Sequence, residues 1–270
     1  MNFEEFWTRG DIHERVNIAL KKANLLERKL EIEDLFPLDQ YHARGISATI
    51  ELADKLNFTK ESTIIDIGCG LGGPARYFSK RFNCNVYGID ITEAFVEIGN
   101  YFNKLTQIDH QVKLIKGDGE NLPYQTEFFD GAVSQHVTMN IEDREQFFNE
   151  AFRVLKKGAI FGFSEHGLGT KGGPIFPLPW ADNENMSFLK TPEYTKSLLK
   201  KIGFKNIKII STGEKYISGY NSLLKKGQSN EKPTLGIHVI GGDTMLERSK
   251  NSMQSIIENR TYPFEIICNK

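Results

Sequence analysis

Asp66, Asp90 and Asp118 each stand next to glycine-rich or turn-forming sequence, and their spacing is what a nucleotide-like ligand would require. Residues 62–76 read S-T-I-I-D-I-G-C-G-L-G-G-P-A-R. An apolar run ending in Asp66 predicts a buried parallel strand. Gly68, Gly70, Gly72 and Gly73 predict a tight turn, with Pro74 as the first residue of a helix, where its missing N–H leaves nothing unpaired. Glycines in such a turn permit positive φ and let a ligand approach the backbone, so a ligand can lie across the strand end and the helix N-terminus. An ordinary glycine-rich connection is the alternative. Asp90 closes a second strand over residues 85–90, at about the separation from Gly68 expected of a carboxylate that binds ribose hydroxyls. Its two acceptor oxygens suit a vicinal diol. Asp118, in Gly117-Asp118-Gly119-Glu120 after a third strand at 112–116, is placed to accept from an exocyclic amine or to serve the turn itself. Residues 135–141, Q-H-V-T-M-N-I, follow a fourth strand at 129–134, at the edge where doubly wound sheets bind ligands.

Helices and further strands must position these groups. Residues 11–30 read as a helix, with Asp11 and Glu14 in a capping pattern and Ile12, Val16, Ala19, Leu20, Ala23, Leu26 and Leu30 at helical spacing. Residues 46–56 read as a second, with Ile46, Ile50, Ala53 and Leu56 on one face. Before it, Gln40, Tyr41, His42 and Arg44 form a polar cluster, either folded over the opening of the sheet or a solvated helix start. Residues 92–105 and 143–155 are helical, the latter ended by Lys156-Lys157-Gly158. A fifth strand covers 159–164, with Glu165 and His166 following its end. Residues 167–190, rich in Gly, Pro and aromatics, predict a substrate-covering loop, with a disordered segment as the alternative, against which Phe176, Leu178 and Trp180 argue. A helix at 191–201, a strand at 206–210, a largely helical stretch at 216–259 with a turn at Gly241-Gly242, and a final strand at 262–268 complete the chain.

Lys and Arg number 34 against 35 Asp and Glu, a formal charge of -1, which offers no electrostatic footprint for nucleic acid. Cys69, Cys84 and Cys268 have neither metal-ligand spacing nor an even count, so reduced thiols in a cytoplasmic protein are expected. The opening M-N-F-E-E-F-W lacks a basic n-region and an apolar h-region, which predicts no secretory signal. No run approaches the ~20 apolar residues of a membrane span. Neither a metal nor a membrane partner is expected.

As a set, D-I-G-C-G-L-G-G, the acid-ended second strand, G-D-G-E-N-L-P-Y and F-D-G-A-V-S resemble class I S-adenosylmethionine-dependent methyltransferases, over roughly residues 62–165. D-Q-Y-H-A-R-G, L-G-G-P-A-R-Y, Q-H-V-T-M-N-I and P-L-P-W-A resemble a bacterial small-molecule branch that includes relatives of sarcosine and dimethylglycine N-methyltransferases. The resemblance implies an α/β fold: a Rossmann-like, doubly wound, seven-stranded sheet with its last strand antiparallel. A helical cap over residues 1–45 would precede a methyltransferase domain over 46–270. It implies S-adenosyl-L-methionine as cofactor and S-adenosyl-L-homocysteine as product. By position, Asp66, Gly68 and Gly70 surround the methionine part, Asp90 takes the ribose hydroxyls and Ile91 lies beside the adenine. Asp118 meets the adenine amine, Gly119 lends backbone, and Gln135 lies by the methionine or sulfonium. Cys69 is given no role.

The expected reaction is in-line methyl transfer to a small-molecule N-, O- or C-nucleophile, in which positioning can contribute roughly 7–11 kcal/mol. His136 is the candidate general base, with an imidazole bonded to backbone as the alternative. Tyr41, His42, Asn140, Glu165, His166 and Trp180 are candidates for the acceptor pocket. Arg76 either meets a carboxylate or serves packing or a surface ion pair. Two rival classes remain at this point. Gly68-x-Gly70-x-x-Gly73 with Asp90 also fits a dinucleotide fingerprint, hence an NAD-dependent oxidoreductase, although Asp66, Pro74, Asp118 and the absence of Tyr-x-x-x-Lys speak against it. The other is a non-catalytic, methyltransferase-like binding protein. The acceptor and the oligomeric state are not fixed by sequence.

Overall fold

Apolar runs bounded by turn residues become strands covered on both faces. In chain order these are β1 (Thr63–Ile67), β2 (Asn85–Asp90), β3 (Val112–Lys116), β4 (Phe129–Gln135), β5 (Leu155–Leu168), β6 (Lys205–Ser211) and β7 (Thr261–Asn269). They form one sheet in the order β3-β2-β1-β4-β5-β7-β6. The pairs from β3 to β5 are parallel, whereas β7 runs antiparallel to both β5 and β6. This is the Rossmann-like, seven-stranded architecture expected. The computed structural model describes all residues except 1–2, 9, 43 and 228–232.

The helices are α1 (Phe3–Thr8), α2 (Ile12–Lys22), α3 (Phe36–Asp39), α4 (Ile46–Ala53), α5 (Gly73–Phe82), α6 (Glu93–Leu105), α7 (Arg144–Val154), α8 (Pro192–Ile202), α9 (Gly213–Gly227), α10 (Ile237–Gly241) and α11 (Met245–Ile257). Side chains alternate across a strand, and neighbours therefore join different cores. Ile65 and Ala132 pack with Phe147, Phe148 and Leu199 from α7 and α8. Ile64 and Val133 pack with Leu52, Ala75 and Phe78 from α4 and α5. A third cluster joins Ile12, Val16 and Leu20 of α2 to Val239 and Ile240 of α10 and Ile98 and Phe102 of α6.

Several local expectations are corrected. The first long helix stops at Lys22 rather than residue 30. Asn24 takes a left-handed φ of 54°, and Leu25 N–H reaches Leu20 O at 3.0 Å, a closure that satisfies end carbonyls and turns the chain away. In α4 the inward face is Ala48, Thr49, Leu52 and Ala53, while Ile50 is 38% exposed. Apolar spacing selects the wrong row there because Thr49, a polar residue, points inward to bond Gln40 and Gln135. Gly73, not Pro74, opens α5. Lys156, Lys157 and Gly158 do not end a helix but begin β5, with Gly158 at φ 78° beside a register shift against β4. Glu165 and His166 lie inside β5 because β7 continues its ladder, pairing Phe264 and Pro263 with them. The helical reading of 216–259 matches α9, α10 and α11; its residues 228–232, like residues 1–2, 9 and 43 of the cap, lie outside the described part.

Candidate functional site

At the carboxyl end of β1 the turn is tied to β2: Gly68 and Cys69 N–H both donate to Ile89 O, at 2.8 and 3.0 Å. Gly68 sits at φ 78° with Val137 so close that a Cβ would lie 2.1 Å from its methyl. Gly70, at φ 52°, has nothing within 4 Å of a Cβ position, which leaves open space beside its backbone. Its N–H donates to Asp90 Oδ2 at 2.8 Å, and Thr92 N–H donates to Asp90 Oδ1 at 2.9 Å. Each oxygen keeps a further lone pair. Burial holds the Asp90 carboxyl above its ordinary pKa. Asp66, fully buried, is pushed up to about 7 by burial and then by the charge of Asp90, and its Oδ2 has no partner among the described residues.

Gln135 accepts from Thr49 Oγ1 at 3.1 Å and leaves Nε2 without a partner; Gln40, 2.6 Å from the same hydroxyl, also leaves Nε2 unbonded. Asp118 is exposed on its turn, where Oδ1 accepts from Glu120 N–H at 2.8 Å. Gly119 is packed against Phe147, and Ile91 is 54% exposed. All eight residues proposed for the cofactor line one cavity of about 1400 Å³. Tyr41, His42, His136, Asn140, His166 and Trp180 line it too.

His136 is the centre of the second half of this cavity. It holds a left-handed φ of 59°, its N–H donates to Ser164 O at 2.8 Å, and its Nε2 meets Tyr216 Oη at 2.5 Å. His42 stacks on it at 5.5 Å, and His166 lies at the same separation. Burial, with His166, His42 and Arg44 nearby, holds the His136 imidazole well below its ordinary pKa, while burial pushes the Tyr216 phenol well up. Both directions fit a neutral ring accepting from the Tyr216 O–H. His166 is pushed down to about 3 by burial; it stacks on Trp180 at 4.6 Å, and its Nδ1 has no partner among the described residues. Asn140 donates from Nδ2 to the carbonyls of Trp180 and Met186, both at 2.9 Å, which ties residues 167–190 to the loop after β4.

The family model described as a methyltransferase domain matches residues 65–163, from the first strand through most of the fifth. The match makes this stretch a methyltransferase domain. A sarcosine/dimethylglycine N-methyltransferase of Halorhodospira halochloris is 28% identical over 65% of this chain and 62% of its own length. A sterol 24-C-methyltransferase of Candida albicans is 31% identical over 42% of this chain and 30% of its own. The chain thus spans less than two thirds of these curated relatives. In fold, the chain is similar to a Haemonchus contortus phosphoethanolamine N-methyltransferase solved with phosphomonomethylethanolamine and S-adenosylhomocysteine. The TM-score is 0.77 at 16% identity, over 100% of this chain and 61% of that one.

One expected site residue stands elsewhere in the chain. Glu165 is not in the cavity wall: it is fully buried, with Arg144 Nη1 at 2.8 Å and Thr138 and Thr195 as further donors. Of the alternatives for Arg76, the structure has it meeting a carboxylate, inside the protein rather than at its surface. It is buried and donates to Asp39 Oδ2 at 2.8 Å, Asn103 Oδ1 at 2.7 Å and Leu71 O at 2.6 Å. Sequence reasoning missed Tyr216, Thr49 and the lining from α9 to α11. The available signal was the Tyr216/Tyr220 pair, one helical turn apart, in a stretch longer than a connection between two paired strands needs. Among the described residues no helix is long and apolar enough to cross a membrane.

Proposed function

We propose that this methyltransferase moves the methyl group of S-adenosyl-L-methionine to a small-molecule acceptor held in the same cavity, leaving S-adenosyl-L-homocysteine. The observation that carries the reading is the set of buried polar atoms left without partners around that cavity: Asp66 Oδ2, Gln135 Nε2, Gln40 Nε2 and His166 Nδ1. Unpaired buried groups cost about 1–3 kcal/mol each, so a ligand of matching polarity is strongly favoured. An amino-acid end fits this donor set, its ammonium at Asp66 and its carboxylate at the glutamine amides. Asp90 keeps lone pairs for a ribose diol, and Ile91, Asp118 and Gly119 stand at the strand ends where a base would lie. When bound, the cofactor supplies an electrophilic methyl group on a sulfonium.

The chain's own residues do the rest. The cavity exceeds the roughly 300–1000 Å³ of sites for one drug-sized ligand, which supports two ligands side by side. His136, neutral and buried, takes the proton of an acceptor N–H or O–H at Nε2 once the acceptor displaces the Tyr216 hydroxyl from it; an already neutral amine needs no base. His166, Trp180, His42 and Tyr41 bound the acceptor, and the described part of the N-terminal segment, with residues 167–190, covers it. The three cysteines, free and buried, support a cytoplasmic setting. Incubation with methyl-labelled S-adenosylmethionine and, separately, sarcosine, dimethylglycine, phosphomonomethylethanolamine and a sterol tests the reading. Acceptor-dependent formation of S-adenosylhomocysteine is expected for at least one, and binding of the cofactor without turnover of any would favour a non-catalytic binding protein.

A further inference from the structure

Where α9 closes over the cavity, one cation is left over. Arg44 lines the cavity with 5% of its side chain exposed. Its Nη2 is paired with Glu51, its guanidinium lies 5.6 Å from the centre of the Tyr216 ring, and its Nη1 has no partner among the described residues. Glu51 is shared, because its other oxygen takes Lys215 Nζ at 2.7 Å, and Lys215 also lines the cavity. Two cations thus share one carboxylate, and of these groups Arg44 alone is buried, Lys215 and the further acid Glu214 being exposed on the first turn of α9. A buried guanidinium with an unused N–H is matched best by an oxyanion.

Gly219 supplies an independent observation. It sits inside α9, where alanine is the better helix former, yet a Cβ there would come within 2.9 Å of Arg44 Cγ. Glycine at this point admits the Arg44 side chain over the Tyr216 ring, and Tyr216 is the residue that bonds His136.

We propose that Arg44, assisted by Lys215, binds the anionic end of the methyl acceptor, a carboxylate or a phosphate, so that its nucleophile faces His136. This rests on the methyl-transfer reading above and narrows it to acidic acceptors, against neutral ones such as a sterol.

The test is calorimetric titration of the protein saturated with S-adenosylhomocysteine, using inorganic phosphate and, separately, sodium acetate. Saturable binding of at least one is expected, and which of them binds more tightly distinguishes phosphate from carboxylate acceptors. Arg44→Gln should weaken that binding about tenfold or more while S-adenosylhomocysteine affinity stays unchanged. Gly219→Ala, which retains every charge and favours the helix, should weaken it as well by crowding Arg44. Saturable binding of neither anion to the loaded wild type overturns the proposal, as does unchanged anion affinity in both variants. Loss of S-adenosylhomocysteine binding in Arg44→Gln would assign Arg44 to the cofactor's own carboxylate and also overturn it. A wild type that binds no S-adenosylhomocysteine sinks the methyl-transfer reading instead; the same anion titrations on the unloaded protein then decide the role of Arg44.

Discussion

His136 holds a left-handed backbone that side-chain-bearing residues seldom adopt, and surrounding contacts must over-determine such strain for it to persist. Tyr216 Oη, the Ser164 carbonyl and the stacked His42 ring supply them. Once an acceptor replaces the Tyr216 hydroxyl at Nε2, this neutral imidazole can take its proton, an effect of about 10²–10⁴-fold where the acceptor must lose one. His136→Gln should therefore lower turnover by about tenfold or more with S-adenosylhomocysteine affinity intact; unchanged turnover would remove it from the mechanism. Asp66 gives a pH prediction. Its folded pKa of about 7 lies above the unfolded value near 4. The folded state thus holds more protons between those values, and this group makes the unloaded fold less stable as pH rises from about 4 to about 7. Asp66→Asn should flatten that slope in urea titrations. An ammonium placed against Asp66 favours the carboxylate, so S-adenosylhomocysteine binding near pH 6 should release a proton. Calorimetry in two buffers of different ionisation enthalpy reads that release, and proton-neutral binding would contradict it. At this scale the gathering of Asp66, Gly68, Gly70 and Asp90 on one cavity wall was legible, because all depend on one strand-turn-helix unit and the strand beside it. Tyr216 was not, because the sheet topology alone brings α9 to the loop after β4.

Elements carry the buried charges that sequence reading misassigned. Arg144 on α7 and Glu165 on β5 form a pair that also ties the Thr138 and Phe188 carbonyls, so it fastens the loop after β4 and residues 167–190 to the sheet. Removing one partner of such a pair leaves an uncompensated charge, at about 3–5 kcal/mol. Glu165→Ala should lower unfolding free energy by that order in denaturant titrations, with cofactor affinity retained under native conditions. Full stability with lost acceptor binding would return Glu165 to the cavity wall. Asp39 and Arg76 do the same for α3 and α5, fixing the N-terminal segment against the glycine turn. Glu165 looked like a wall residue because a strand reading that stops at residue 164 leaves it in a loop; the length of β5 comes from its partner β7, nearly a hundred residues onward. Helices α6 and α7 were legible to within a residue or two, since Phe95, Val96, Ile98 and Phe102 in one and Phe147, Phe148, Ala151 and Val154 in the other mark most of the buried face at helical spacing. The boundary and face of α4 were not, because its inward side is partly polar.

The whole molecule is a sheet whose carboxyl edge lies under a roof drawn from three distant segments: the N-terminal helices, residues 167–190, and α9 to α11 between β6 and β7. The first two were visible as composition; the third was read as helical without any role. The α1, α2 and α10 layer meets the sheet domain mainly through α6 and α3, whereas β1, β4 and β5 lie in the doubly covered centre. Amide exchange should accordingly be faster in α1, α2 and α10 than in those strands and should slow when S-adenosylhomocysteine fills the cavity beneath; a roof equally protected with and without ligand would contradict that. The cofactor site remains the claim on which the rest depends. Calorimetric titration of the purified protein with S-adenosylhomocysteine, repeated on Asp90→Ala, addresses it most directly. Micromolar binding by the wild type that is lost in the variant is the expected result; no heat with the wild type after removal of any co-purified ligand, or equal binding by Asp90→Ala, would contradict the account.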